Sequence, residues 1–159
     1  YQTGKTLPEN LIAKLKKKAQ FQQGLQTLRQ LSFALLDLSF HKDQANEIED
    51  VKDHEMKVMA PFQRTPSIPE NIICTAFSHI FQGGYAAGYY SYKWAEVLDA
   101  DAFEYFKEQG ILNPKTAKEF ASSILSKGGT EHPMKLYKRF RGKEPNIEAL
   151  LNRSGLINA

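Results

Sequence analysis

Within the eighteen residues Phe77-Ser-His-Ile-Phe-Gln-Gly-Gly-Tyr-Ala-Ala-Gly-Tyr-Tyr-Ser-Tyr-Lys-Trp94 the sequence gathers one histidine, three glycines, four tyrosines and its single tryptophan. Phenol O–H and imidazole N–H groups can donate to a peptide carbonyl or to the oxyanion that develops when such a carbonyl is attacked. His79, Tyr85, Tyr89 and Tyr92 therefore form a candidate site for polar substrate chemistry. Gly83 and Gly84 lack a Cβ, which permits positive φ or a close approach of backbone to a ligand. If a helix begins near Ala86, the spacing of Tyr85, Tyr89 and Tyr92 by four and then three residues lines their hydroxyls along one face. The same residues have a second reading. A Tyr/Trp stripe at helical spacing is commonly core, and Gly84 with Gly88 can simply let two helices approach.

The elements that must position this stretch are helical. Residues 20–41 carry Phe21, Leu25, Leu28, Leu31, Phe33, Leu35, Leu36, Leu38 and Phe40 on more than one side, the pattern of a helix buried on most faces. Gly24 inside it costs up to ~1 kcal/mol relative to alanine. Asp43 to Asn46 make a polar break. Ile48, Val51, Glu55, Val58 and Met59 then predict a more exposed helix ending at Ala60-Pro61, and Glu47, Glu49, Asp50 and Asp53 near its start suit the positive end of its dipole. Pro61, Pro66 and Pro69 mark a loop over 60–70. Strand-like alternation is limited to Ile72-Ile73. After Tyr85 a helix is expected over 86–107, stopped by Gly110. Asn113-Pro114 is a helix start and Gly128-Gly129 a stop. Two short helices at 133–140 and 146–153 follow, the second capped by Asn146 and closed by Gly155. Pro8 opens a first amphipathic helix with Leu11, Ile12 and Leu15 on one side and Lys14, Lys16, Lys17 and Lys18 on the solvated face. The expected fold is all-α, one region over 1–159, with the 20–41 and 86–107 helices in its core.

Composition bounds the function. With 42% apolar and 25% charged residues in 159, the chain reads as a globular domain, and no apolar run approaches the ~20 residues of a membrane span. A net charge of +3 gives no support for nucleic-acid binding. The second basic cluster, Lys135, Lys138, Arg139, Arg141 and Lys143, reads as a solvated helix face or as a contact for an anionic peptide terminus. One cysteine, Cys74, excludes an internal disulfide and fits a reducing compartment. The opening Tyr1-Gln-Thr-Gly-Lys has neither an initiator methionine nor a signal peptide, which suggests a portion of a longer protein.

The four histidines are the first candidates for metal ligation. His54-Glu55 opens like HExxH, in which two histidines four apart share a helix face and hold zinc while the glutamate activates water. Here the fifth position is Val58. His41, His79 and His132 are far apart, so no residue of this chain is expected to hold a metal.

The run His79-Ile-Phe-Gln-Gly-Gly-Tyr85-Ala-Ala-Gly-Tyr89-Tyr-Ser-Tyr92-Lys-Trp-Ala-Glu96, continued by Asp99-Ala-Asp-Ala-Phe103, resembles the substrate-binding Gly/Tyr segment of the thimet-oligopeptidase family of zinc peptidases, most closely its oligopeptidase A and peptidyl-dipeptidase Dcp subgroup. Phe21-Gln-Gln-Gly-Leu-Gln-Thr-Leu-Arg29, Leu125-Ser-Lys-Gly-Gly129 and Tyr137-Lys-Arg-Phe-Arg-Gly-Lys-Glu-Pro145 extend the likeness over nearly the whole chain. The resemblance implies that His79 positions substrate and stabilises the tetrahedral intermediate. It implies that Tyr85, Tyr89 and Tyr92 bind the peptide and its oxyanion, and that Gly83, Gly84 and Gly88 form a flexible substrate-binding loop. It also implies a helical, two-lobed cytoplasmic enzyme acting on short peptides, whose zinc is held by an HExxH helix upstream of this region. The piece alone is then expected to be inactive without the N-terminal part of the same protein. The rival expectation is a free-standing α-helical binding or scaffold module without catalysis.

Overall fold

The computed structural model describes residues 2–42 and 45–157. Asp43 and Gln44, half of the expected polar break, lie outside the described residues. The described residues form helices and turns with no strand, Ile72-Ile73 included. They make two compact units, one spanning Phe21–Lys93 and the other comprising the flanking stretches up to Gln20 and from Trp94 onward.

The Phe21–Lys93 unit is built on α2 (Gln23–Phe40) and α3 (Val51–Met59). Asp50 caps α3, its side chain accepting the Asp53 N–H at 2.8 Å, which satisfies one of the donors a helix start leaves open; from the sequence the acidic run is expected only to suit the helix dipole. The two helices enclose Phe33, Leu36 and Met59, and the incoming segment adds Cys74, with Phe77 and Tyr89 packed against them. Leu36 and Ile80 are fully sealed, each contributing about 1.5–3 kcal/mol by leaving water. The expectation that α2 is buried on most faces is corrected: Leu25, Leu31 and Leu35 are exposed. Only the side carrying Ser32, Phe33, Ala34, Leu36 and Asp37 is covered.

Between α3 and the next helix the chain runs as turns, with single 3₁₀ turns at Ala60–Phe62 and Ser78–Ile80. The loop foreseen at 60–70 thus extends almost to residue 90. The helix expected from Ala86 starts only at Ser91, as α4 (Ser91–Gln109). Residues 85–93 are instead linked by i→i+3 bonds, Gly88 N–H to Tyr85 O at 2.7 Å, Ser91 N–H to Gly88 O at 3.0 Å and Tyr92 N–H to Tyr89 O at 3.2 Å. Ala87 has φ +55°, which an α-helix cannot contain.

In the other unit, α1 (Glu9–Ala19) forms after Pro8 as expected and buries no residue. Asn113 caps α5 (Pro114–Phe120) by accepting the Lys115 N–H at 2.9 Å, and a π-helical turn at Ala121–Leu125 continues it. α6 (Pro133–Arg141) and α7 (Glu148–Arg153) complete the chain. α7 starts two residues later than the expected 146, with Ile147 at its capping position, and Asn146 accepts the Glu148 N–H at 2.9 Å from one residue before it. Ala102, Tyr137 and Phe140 form the core here, with Phe106 and Phe120 edge-on to one another at 5.6 Å. The second basic cluster is a helix face neutralised locally: Arg139 pairs with Glu131, Lys138 with Glu144, and Arg141 with Asp101 and Glu108.

Candidate functional site

The site is assembled inside the Phe21–Lys93 unit, from the turn Ser78–Ile80, the glycine bend and the first turn of α4. His79 is exposed. Its ring lies 5.8 Å from that of Tyr85, which stacks on Tyr92 at 5.6 Å with 20° between planes. Tyr92 meets Tyr89 at 5.1 Å in a T-shaped contact, and Tyr89 meets Phe77 in the same way at 5.1 Å. Phe33 of α2 lies beneath, 5.3 Å from Phe77 and 6.1 Å from Tyr89. Tilted and edge-on contacts of this kind each add about 0.5–1.5 kcal/mol beyond area burial. All four sequence-derived polar residues thus join one aromatic cluster. It has a sealed side, anchored by Tyr89, and an open side, where Tyr85 is 37% and Tyr92 40% exposed.

Tyr89 is thus half-buried, as the second reading of the stripe has it, while Tyr85 and Tyr92 pack their rings in the cluster and stand partly at the surface. The Tyr89 hydroxyl donates to Gln30 Oε1 at 3.0 Å. Burial raises its pKa above the ordinary phenol value, with Arg29 and Gln30 pulling the other way. Tyr92 is raised chiefly by its hydrogen bond to Tyr85, with desolvation second. Phenols ordinarily titrate near ~10, so both remain protonated donors at neutral pH.

The glycines do different work. Gly84 sits at φ +74° with open space where a Cβ would be, so its backbone conformation is what requires glycine. At Gly88 a Cβ would stand 3.3 Å from the Tyr85 carbonyl oxygen, on the turn that returns the chain beneath Tyr85. Gly83 is exposed, and a Cβ there would touch the Tyr85 ring at 3.4 Å.

Sequence reasoning missed what holds this bend. Asp37 of α2 is fully buried, and its Oδ1 and Oδ2 accept the backbone N–H groups of Ala87 at 2.9 Å and Tyr89 at 2.8 Å. His41 Nδ1 lies 3.0 Å from Oδ1 and 2.8 Å from the Asp37 carbonyl oxygen. The left-handed conformation of Ala87 costs a non-glycine residue roughly 1–2 kcal/mol, and the two charge-assisted bonds offset it. The available signal was an acid in the middle of the apolar run 31–40, since a buried carboxylate must find donors. Glu55 acts likewise: it is buried and accepts the N–H groups of Ile73 and Cys74 at 2.9 and 2.8 Å.

The residues present do not fit a zinc site. Among the described residues no three His, Cys, Asp or Glu converge so as to hold a metal. His54 Nε2 bonds Ser39 Oγ at 2.8 Å, His41 is engaged with Asp37, and His132 caps α6 by accepting the Met134 N–H at 3.2 Å. Cys74 is buried, and burial together with its hydrogen bond to Glu55 pushes its thiol up to about 11. No described helix is long and apolar enough to cross a membrane.

An all-helical chain that presents an imidazole and phenols on a glycine bend matches the model of peptidase family M3 over residues 1–156, and the chain belongs to that family. It is 47% identical to the probable cytosolic oligopeptidase A of Arabidopsis thaliana, over 100% of this chain and 23% of that protein. It is 46% identical to oligopeptidase A of Escherichia coli and 39% identical to dipeptidyl carboxypeptidase of the same organism, over 98% of this chain and 23% of each relative. The chain thus spans about 23% of the length of the relatives it matches.

Proposed function

We propose that the chain is the substrate-binding and transition-state-stabilising portion of a cytoplasmic, zinc-dependent oligopeptidase that hydrolyses short peptides. The zinc ligands would come from the N-terminal part of the same protein, outside these 159 residues. The observation that carries this reading is the convergence of His79, Tyr85 and Tyr92 on the exposed rim of a bend whose backbone is locked from beneath. Donors fixed before the reaction stabilise developing charge without reorganising. In this scheme Tyr92 donates to the Tyr85 oxygen, leaving the Tyr85 proton for the carbonyl oxygen that gains charge on attack. A chain of hydrogen bonds polarises its members in that direction. His79 is the second donor to the intermediate, Tyr89 holds the cluster to α2, and Gly83, Gly84 and Gly88 let peptide backbone approach.

Tyr85→Phe in the full-length protein tests this. A lost oxyanion donor costs ~10²–10³ in turnover, so kcat should fall by that order and KM should change less. An unchanged kcat counts against the assignment. The 159-residue chain by itself should neither bind zinc stoichiometrically nor cleave a quenched fluorescent peptide, and cleavage by metal-free chain would overturn the division of labour.

A further inference from the structure

Asp37 spends both carboxylate oxygens on the Gly/Tyr bend, reaching the amides of Ala87 and Tyr89 from fifty and fifty-two residues earlier in the chain. Nothing else described binds those two N–H groups, and they flank Gly88, the pivot between Tyr85 and Tyr89. The residue between the bend's glycines that takes a left-handed conformation is an alanine, so the shape is imposed by an outside partner and not by the local sequence. Full burial of Asp37 strengthens that hold, because a desolvated carboxylate has no water to exchange for either amide.

We propose that Asp37 is a positioning residue for the tyrosine site: by clamping the Ala87 and Tyr89 amides it sets the angle at which Tyr85 stacks on Tyr92, and it touches no substrate itself. This rests on the reading that the tyrosines meet the peptide. Asp37→Asn keeps the shape but sets an NH₂ group against one of the two N–H donors, so the bend should relax while α2 and its apolar contacts persist. A reacting group displaced by about 1 Å can cost ~10² in rate.

The test uses the full-length protein and three readouts. Asp37→Asn should lower kcat by about 10–10² with KM little changed. The same substitution made on top of Tyr85→Phe should cost little more, because the two act through one group. Hydrogen exchange at the Ala87 and Tyr89 amides should accelerate at least tenfold in Asp37→Asn, whether or not the enzyme is active. Adding Ala87→Gly, which needs no clamp to hold positive φ, should restore part of kcat to Asp37→Asn. Wild-type kcat in Asp37→Asn, a loss fully additive with that of Tyr85→Phe, unchanged amide exchange, or global unfolding of the Asn variant would each overturn the proposal. If Tyr85→Phe is silent while the amides still open in Asp37→Asn, the functional reading falls and the clamp stands.

Discussion

Tyr85 and Tyr92 stack with ring centroids 5.6 Å apart and planes inclined by 20°, and the neighbouring Tyr85 phenol raises the Tyr92 pKa above its ordinary value. The contact joins a residue of the glycine bend to one in the first turn of α4, so the two phenols form a unit that no single helix face could make.

Coupling of this kind has a kinetic signature. In the full-length protein Tyr92→Phe should lower kcat less than Tyr85→Phe does, and the double variant should resemble Tyr85→Phe alone, since the second hydroxyl acts through the first. Steady-state kinetics on one peptide substrate measures this. Two independent, multiplicative losses would separate the phenols.

The helical class, the cap at Asn113 and the helix stop at Gly110 were legible because they are local: an acceptor side chain, a proline at the first helical position or a glycine beyond the last fixes them within a few residues. The late start of α4 was not legible. Helical spacing of Tyr85, Tyr89 and Tyr92 favours a helix from Ala86, and what defeats it is Asp37, which binds amides fifty residues away. The phenols still converge, though through a bend and a stacked pair. The exposed side of α2 was likewise invisible, because a sequence of leucines does not say how many neighbours a helix has.

Glu55 replaces the backbone pairing that the turn at Ile73 and Cys74 lacks. Removing its carboxylate leaves two N–H donors without their partner, at about 1–3 kcal/mol for a buried group. Glu55→Ala should therefore lower stability by that amount or more, and Glu55→Gln by less, because one oxygen remains. Urea denaturation of the chain checks both. Equal stability of Glu55→Ala and wild type would show that water satisfies those amides.

Cys74 sets an alkaline limit. Its thiol is raised from 9.0 to about 11 in the folded chain, so between those values the unfolded chain loses a proton that the folded chain keeps. Stability contributed by the buried thiol is complete below pH ~9 and is lost as pH rises toward 11, by about 1.4 kcal/mol per unit of difference. Cys74→Ser or Cys74→Ala should flatten the fall over that window, apart from any tyrosine contribution. Native Cys74 should also react with a thiol reagent at neutral pH far more slowly than the unfolded chain does. Fast labelling without unfolding would contradict the burial.

Arg141 carries the ionic core of the other unit. Its Nε donates to Asp101 Oδ2 at 3.2 Å, its two terminal nitrogens fork onto Glu108 at 3.1 and 2.9 Å, and its guanidinium lies 5.0 Å from the Tyr105 ring centroid. The side chains of Arg141 and Asp101 are only 6% and 4% exposed, and the Tyr137 hydroxyl donates to the same Asp101 oxygen. Burial and the Asp101 charge push the Tyr137 phenol well above its ordinary range, which keeps that donor protonated. Arg141→Met would leave Asp101 buried with the phenol and no cation, a change that typically costs about 3–5 kcal/mol. Arg141→Lys cannot reproduce the fork onto Glu108 while also reaching Asp101, so it should recover only part of the loss. Removing both charges in Asp101→Asn/Arg141→Met should recover more than Arg141→Lys does, because the cost lies in the stranded carboxylate and not in the missing pair. Denaturation midpoints of the three variants rank these outcomes, and an Arg141→Met variant as stable as the wild type would show that Asp101 reaches water.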